Sequence, residues 1–178
     1  MKTIIVTGSN TGIGKEAVRI LAADGHRVLM LSRDSEKSRR AADEIRAATG
    51  NDNVHLFPVD LAEQSSICAV VDRLRAEFNA IDVLVNNAGA YRTKRGVSGN
   101  GVELTFAVPD AIMWVVKRFL EKPEAGGARI ARLAVADDVA GVTGAYVYKD
   151  EVRAFEIPAA TQQKTEQLLQ ISRRLTGI

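Results

Sequence analysis

The chain has a single cysteine, Cys68, in 178 residues, so no disulfide can form within it. It has only two histidines, His26 and His55, and neither belongs to a paired spacing, so no zinc site is expected. Charge of one sign is not in excess: 24 Lys and Arg face 22 Asp and Glu, a net +2. No whole-molecule field therefore directs the chain to nucleic acid or a membrane surface. Long hydrophobic runs are missing too. The first, Ile4-Ile5-Val6, stops at Thr7-Gly8, short of a signal-peptide core or a membrane span, so the cytoplasm is the expected location. There is no internal repeat, low-complexity tract or proline-rich linker. What remains is ordinary globular composition, 46% apolar and 26% charged, at a length that suits one domain with its own core over residues 1–178.

Four β-rich runs punctuate the first half: Ile4–Val6, Val28–Leu31, Val54–Val59 and Ile81–Val85. The first, second and fourth are continuously apolar, which predicts strands covered on both faces, as in a parallel sheet. Helical patterns separate them at 13–24, 35–49 and 63–78. The last carries Ile67, Val70, Val71, Leu74 and Phe78 on one face. Cys68, beside Ile67, Val70 and Val71, reads as a buried helical thiol. Strand and helix in alternation predict a doubly wound α/β domain of Rossmann type. Residues 90–101 read as a loop with basic Arg92, Lys94 and Arg95, most simply a solvated surface. Helices are expected near 110–121, with Trp114 as packing, and near 124–136. A strand-like stretch follows at 144–148, then a helix over about 159–175 with Leu168, Ile171 and Leu175 on one face. Residues 1–89 thus form one half, and 110–178 supply late helices and a late strand.

The densest motif is Thr7-Gly8-Ser9-Asn10-Thr11-Gly12-Ile13-Gly14, which follows the first strand and opens the first helix. Its glycine spacing is not the generic G-x-G-x-x-G, but the physical demands are the same. One glycine permits a tight turn, one lets backbone approach a pyrophosphate, and one lets the helix pack close to the sheet. The helix N-terminus offers unpaired N–H groups and partial positive charge to phosphates. With Asp60-Leu61 after the third strand and Asn86-Asn87-Ala88-Gly89 after the fourth, the chain resembles the short-chain dehydrogenases/reductases. The resemblance leans to the retinol-dehydrogenase-like branch. It extends to Pro123-Glu124-Ala125-Gly126-Gly127-Ala128 and to Gly141-Val142-Thr143-Gly144-Ala145-Tyr146.

The second strand ends Leu31-Ser32-Arg33. An acidic residue there would bond a ribose 2′-hydroxyl and repel a 2′-phosphate. Ser32 leaves that place empty, and Arg33 can donate a bidentate, charge-assisted pair to a phosphate, so NADP(H) is favoured over NAD(H). A plain surface charge is the alternative reading of Arg33. The resemblance implies that Gly8, Ser9, Asn10, Thr11, Gly12, Ile13 and Gly14 cradle the cofactor. It also implies that Asp60 bonds the adenine amine, that Leu61 lies near the ring, and that Asn86, Ala88 and Gly89 line the ribose and pyrophosphate path. Asn86 and Asn87 also read as turn-forming residues.

The family's activity is hydride transfer between a nicotinamide and a small carbonyl or alcohol. It uses a Tyr-x-x-x-Lys pair, a serine and an asparagine. A lysine cation one helical turn from tyrosine lowers the phenol pKa for proton transfer. Here Tyr91, Tyr146 and Tyr148 are followed four residues later by Arg95, Asp150 and Val152, none of them lysine. Lys94 and Lys149 stand only three residues after Tyr91 and Tyr146. Residues 101–108 resemble the approach to the family's asparagine helix, and then Pro109 intervenes. The expectation is that a central segment is missing. That leaves strand order 3-2-1-4, with the stretch 144–148 pairing directly beside the fourth strand. Two functional readings stand: an oxidoreductase acting on a small carbonyl or alcohol, and a non-catalytic NADP(H)-binding or sensor protein. The oligomeric state is not carried over by the resemblance.

Overall fold

The computed structural model describes residues 1–89, 122–148, 151–154 and 159–176. The expected loop at 90–101 with Tyr91, the helix at 110–121 with Trp114, and Lys149 lie outside these residues. The chain divides into two compact units, Met1–Ala136 and Asp137–Ile178.

In the first unit, strands β1 (Thr3–Thr7), β2 (Arg27–Ser32), β3 (Val54–Pro58) and β4 (Val83–Val85) form one sheet in the order β3-β2-β1-β4. All its pairings are parallel, with Ile5 opposite Leu29 and Leu84, and Leu29 opposite His55. The 3-2-1-4 order is the expected one. Helices α1 (Gly12–Ala23), α2 (Glu36–Thr49), α3 (Gln64–Glu77) and α4 (Pro123–Val135) complete the unit.

Successive strand side chains go to opposite faces, and each face builds a core. Ile4, Val6, Val28, Met30 and Val54 pack against Val18, Leu21, Ala41, Ile45 and Ala131, carried by α1, α2 and α4. Ile5, Leu29, Leu31, Phe57 and Val59 pack against Val70 and Leu74 of α3. Burial on both faces is why β1 and β2 read as unbroken apolar runs. β4 departs from that expectation. Leu84 is 58% exposed, so among the described residues this strand is covered on one face only.

Cys68 is also a correction: it is exposed. The α3 face that meets the sheet is Val70 and Leu74, flanked by Ile67 and Phe78. Cys68 is rotated by one residue, about 100° around the helix from Ile67, and leaves the contact. The thiol is therefore expected to react with a disulfide reagent in the native protein, without denaturant. Reaction only after denaturant is added would contradict this placement.

Local signals set the helix ends. Ser35 caps α2, its hydroxyl accepting the Ser38 N–H at 3.1 Å, and Gly50 ends the helix in the left-handed region at φ 65°. Pro123 occupies the first turn of α4, where its missing N–H costs nothing.

In the second unit, a short 3-10 turn (Asp137–Val139) precedes β5 (Ala145–Tyr148), β6 (Glu151–Ala154) and α5 (Ala159–Thr176). The expected pairing of 144–148 beside β4 does not occur: β5 pairs antiparallel with β6, Tyr146 opposite Arg153. Only two residues separate these strands. Antiparallel neighbours close over such a connection, whereas a parallel partner needs a long crossover. Tyr146 and Tyr148 stack at 6.5 Å, and the Arg153 guanidinium lies 4.9 Å from the Tyr148 ring. Among the described residues, no helix is long and apolar enough to cross a membrane.

Candidate functional site

In a parallel sheet all strands end at the same edge, and ligands favour that edge where the connections diverge. The turns after β1, β2, β3 and β4 hold Gly8–Thr11, Arg33, Asp60-Leu61 and Asn86–Gly89 respectively. The sheet therefore collects the three sequence motifs and Arg33 along one edge.

The first and last of these turns are locked together. Asn87 donates from Nδ2 to the carbonyl oxygens of Thr7 at 2.9 Å and Gly8 at 3.2 Å. The Ala88 N–H donates to Thr7 Oγ1 at 2.9 Å, and that hydroxyl donates to the Val85 carbonyl at 3.3 Å. Gly8 N–H donates to the Leu31 carbonyl at 2.8 Å, and Gly8 itself lies at φ 63°. A Cβ on Gly8 would fall 2.7 Å from the Ala88 Cα, and one on Gly14 would fall 2.5 Å from the Gly8 carbonyl oxygen. Both glycines are thus required by close backbone approach within the site. Gly12, at φ 56°, has nothing within 4 Å of where its Cβ would stand. Gly89 makes no such close approach.

A second lock joins the glycine turn to the β2–α2 turn. Asn10 donates from Nδ2 to Ser38 Oγ at 3.0 Å, and Ser38 Oγ donates to the Arg33 carbonyl at 2.7 Å. Ser38 is fully buried. It fixes the backbone that carries Arg33 against the loop that carries Asn10. The Arg33 side chain is exposed and makes no hydrogen bond or ion pair to another described residue. The hydroxyls of Ser9 and Ser32 are buried and meet no partner among the described residues.

A cavity of about 520 Å³ lies against the glycine turn, between the start of α1 and α2. Asn10, Thr11 and Gly12 form one wall; Lys15, Lys37 and Arg40 bring positive charge, with Glu36 and Glu44. Lys15 pairs with Glu44. The Lys15 hydrogen bond, then its charge, hold the Glu44 carboxyl below its ordinary pKa, with a smaller contribution from Arg40 and burial opposing. No side chain caps the N-terminus of α1, and no acidic residue stands in its first turn. Its first N–H groups and its positive dipole end are available to an anion.

The third turn is separate in its bonding. Asp60 Oδ1 accepts the Ala62 N–H at 2.9 Å, and the Asp60 N–H donates to Ser66 Oγ at 3.0 Å. Leu61 is 44% exposed and Ile13 41% exposed, apolar surface at the same edge of the sheet. Asn86 is exposed.

Sequence reasoning passed over two residues that organise this site, Asn87 and Ser38. Asn87 had a signal in its motif. The signal of Ser38 was weaker, the Ser35-x-x-Ser38 spacing at the start of α2.

Residues 2–148 match the family described as short chain dehydrogenase. The chain is 35% identical over 182 residues to human retinol dehydrogenase 13, covering 99% of this chain and 55% of that protein. It is 42% identical over 107 residues to mouse retinol dehydrogenase 12, covering 60% of this chain and 34% of that one. The chain thus spans about half or less of the length of these relatives. Menthone neomenthol reductase from Mentha piperita superposes over 50% of this chain and 32% of its own, with 36% identity and a TM-score of 0.48.

Proposed function

This chain belongs to the short-chain dehydrogenase family, and from that premise we propose that it binds NADP(H) along the strand-end edge of its sheet. The observation that carries this reading is Arg33. It is an exposed guanidinium with no partner among the described residues, just after β2, whose last residue is Ser32 and not an acidic one, and the adjacent Asp34 is paired with Arg39. Ser9, Asn10, Thr11, Gly12 and Ile13 would hold the pyrophosphate against the uncapped start of α1. Gly8 and Gly14 would shape that turn. Asp60 and Leu61 would meet the adenine, and Asn86, Ala88 and Gly89 the ribose path. The open space at Gly12 and the orphaned Ser9 hydroxyl fit such a ligand. When bound, the cofactor supplies hydride chemistry toward a small carbonyl or alcohol, the activity of the lineage.

Titration calorimetry with 2′,5′-ADP tests the binding half of this proposal. Saturable heat with a Kd of roughly 10–100 µM is expected; no heat at millimolar ligand would overturn it.

A second reading, NADP(H) binding without hydride transfer, is favoured by one observation. None of the three tyrosines is followed four residues later by lysine, so the sequence holds no Tyr-x-x-x-Lys pair of the kind the family uses for proton transfer. On that reading NADPH is not consumed with a panel of aldehydes and ketones, and measurable turnover would decide for the oxidoreductase.

A further inference from the structure

The end of the sheet opposite the glycine turn carries a second cavity, of about 620 Å³. Three arginines reach it from three elements far apart in sequence: Arg27 at the start of β2, Arg46 on α2 and Arg73 on α3. One carboxylate, Glu77, lines it with them, and so does His55 of β3. With the imidazole neutral, the lining residues carry an excess of positive charge, three guanidinium groups against one carboxylate, and Asp43, outside the lining, pairs with Arg46.

This charge is held in place. The Arg73 guanidinium lies 4.6 Å from the Phe57 ring centroid, and that of Arg27 lies 5.8 Å from the Phe78 ring. The two rings meet edge to face at 5.9 Å and form an apolar wall of the same cavity. Arg46 donates from Nε to the Val54 carbonyl at 2.8 Å and from Nη1 to Asp43 at 2.7 Å. Arg73 donates from Nε to Glu77 at 2.6 Å. Each guanidinium carries five N–H donors, so most of them remain for a ligand.

We propose that this cavity is an anion site that takes a phosphate monoester bearing a small planar apolar group. Guanidinium forks match phosphate oxygens in pairs, which a lysine cluster would not do. The Phe57–Phe78 wall gives the planar group its contact. His55 reports on the site. Burial, then the charges of Arg46 and Arg27, hold its imidazole pKa below the ordinary value, while Glu77 opposes them. A bound dianion offsets the two guanidinium charges and raises that pKa. By linkage, protonation of His55 and binding of the dianion favour each other, while the monoester's own second protonation, near pH ~6, opposes tightening at lower pH.

The experiment is a proton-NMR titration of the two histidine rings, assigned with His26→Gln. It is run with sodium chloride, inorganic phosphate or phenyl phosphate at matched ionic strength. Phenyl phosphate is expected to move the His55 pKa upward by about half a pH unit or more, which chloride does not do. Inorganic phosphate should need roughly 10-fold more ligand for the same shift, the aryl contact making the difference. Equal potency would remove the planar group from the proposal. Arg27→Gln and Arg73→Gln, both partly exposed positions, should each reduce the shift by at least about half. No shift with either phosphate, or a full shift retained in both variants, overturns the site. Arg33→Ala should leave the shift unchanged. Its loss there would assign the effect to the nucleotide edge instead.

Discussion

Arg33→Ala is expected to weaken NADPH binding by about 50-fold and NADH binding by less than about 3-fold, since a hydrogen-bonded charge pair contributes about 1.5–3 kcal/mol. The asymmetry follows from what Arg33 touches in the protein, which is nothing through its side chain among the described residues. Among the described residues no hydrogen bond or ion pair is lost when the guanidinium is removed, so the effect falls on the ligand. The part of the ligand that differs between the two cofactors is the 2′-phosphate. Because Arg33 is exposed, the preference should also shrink as salt is raised. Fluorescence titration of both reduced cofactors at two ionic strengths measures all of this. Equal losses for NADPH and NADH would remove the argument for the phosphorylated cofactor. Ser38→Ala is a useful companion. It leaves the guanidinium present but removes the hydroxyl that ties the Arg33 carbonyl to the Asn10 loop.

The second large effect concerns stability. Alanine is normally better than glycine inside a helix by about 1 kcal/mol, so Gly14→Ala in α1 would ordinarily stabilise. Here the sign reverses. The new Cβ would lie 2.5 Å from the Gly8 carbonyl oxygen and against the Asn87 amide, and the first of these is backbone that yields only by moving the whole turn. A loss of about 3 kcal/mol is expected, read as a lowered midpoint in urea unfolding. Gly12→Ala separates stability from binding. It meets open space and suffers only the left-handed φ of 56°, a cost of about 1 kcal/mol. Yet it places a methyl at the wall of the cavity where the pyrophosphate is proposed, so 2′,5′-ADP binding should fall sharply in a protein that is still folded. A Gly14→Ala protein as stable as the parent would show that the Gly8 carbonyl does not lie against the start of α1.

The amino-acid sequence determined the helices of the described residues, the four parallel strands and the three motifs at their ends. Those features are local: glycine spacing, apolar runs of strand length, and periodic helix faces are set by residues near one another. The family likeness was legible for the same reason, and the 3-2-1-4 order was an implication of that likeness. Burial of Cys68 was misjudged because a periodic stripe fixes the helix face only to within one residue, and only packing against the sheet selects Val70 and Leu74. The partner of β5 was misjudged because strand pairing is a competition between candidates, and β6, two residues away, closes at less entropic cost than β4. Tertiary structure alone decided how the motifs are fastened. Asn87 reaches across about 80 residues to Thr7 and Gly8, and Ser38 joins Asn10 to the Arg33 backbone. It also decided the second cavity, since three arginines and a histidine spread over residues 27–73 have no common pattern until the sheet brings them together. Contacts of that kind depend on where the folded chain returns, which no short stretch of residues records.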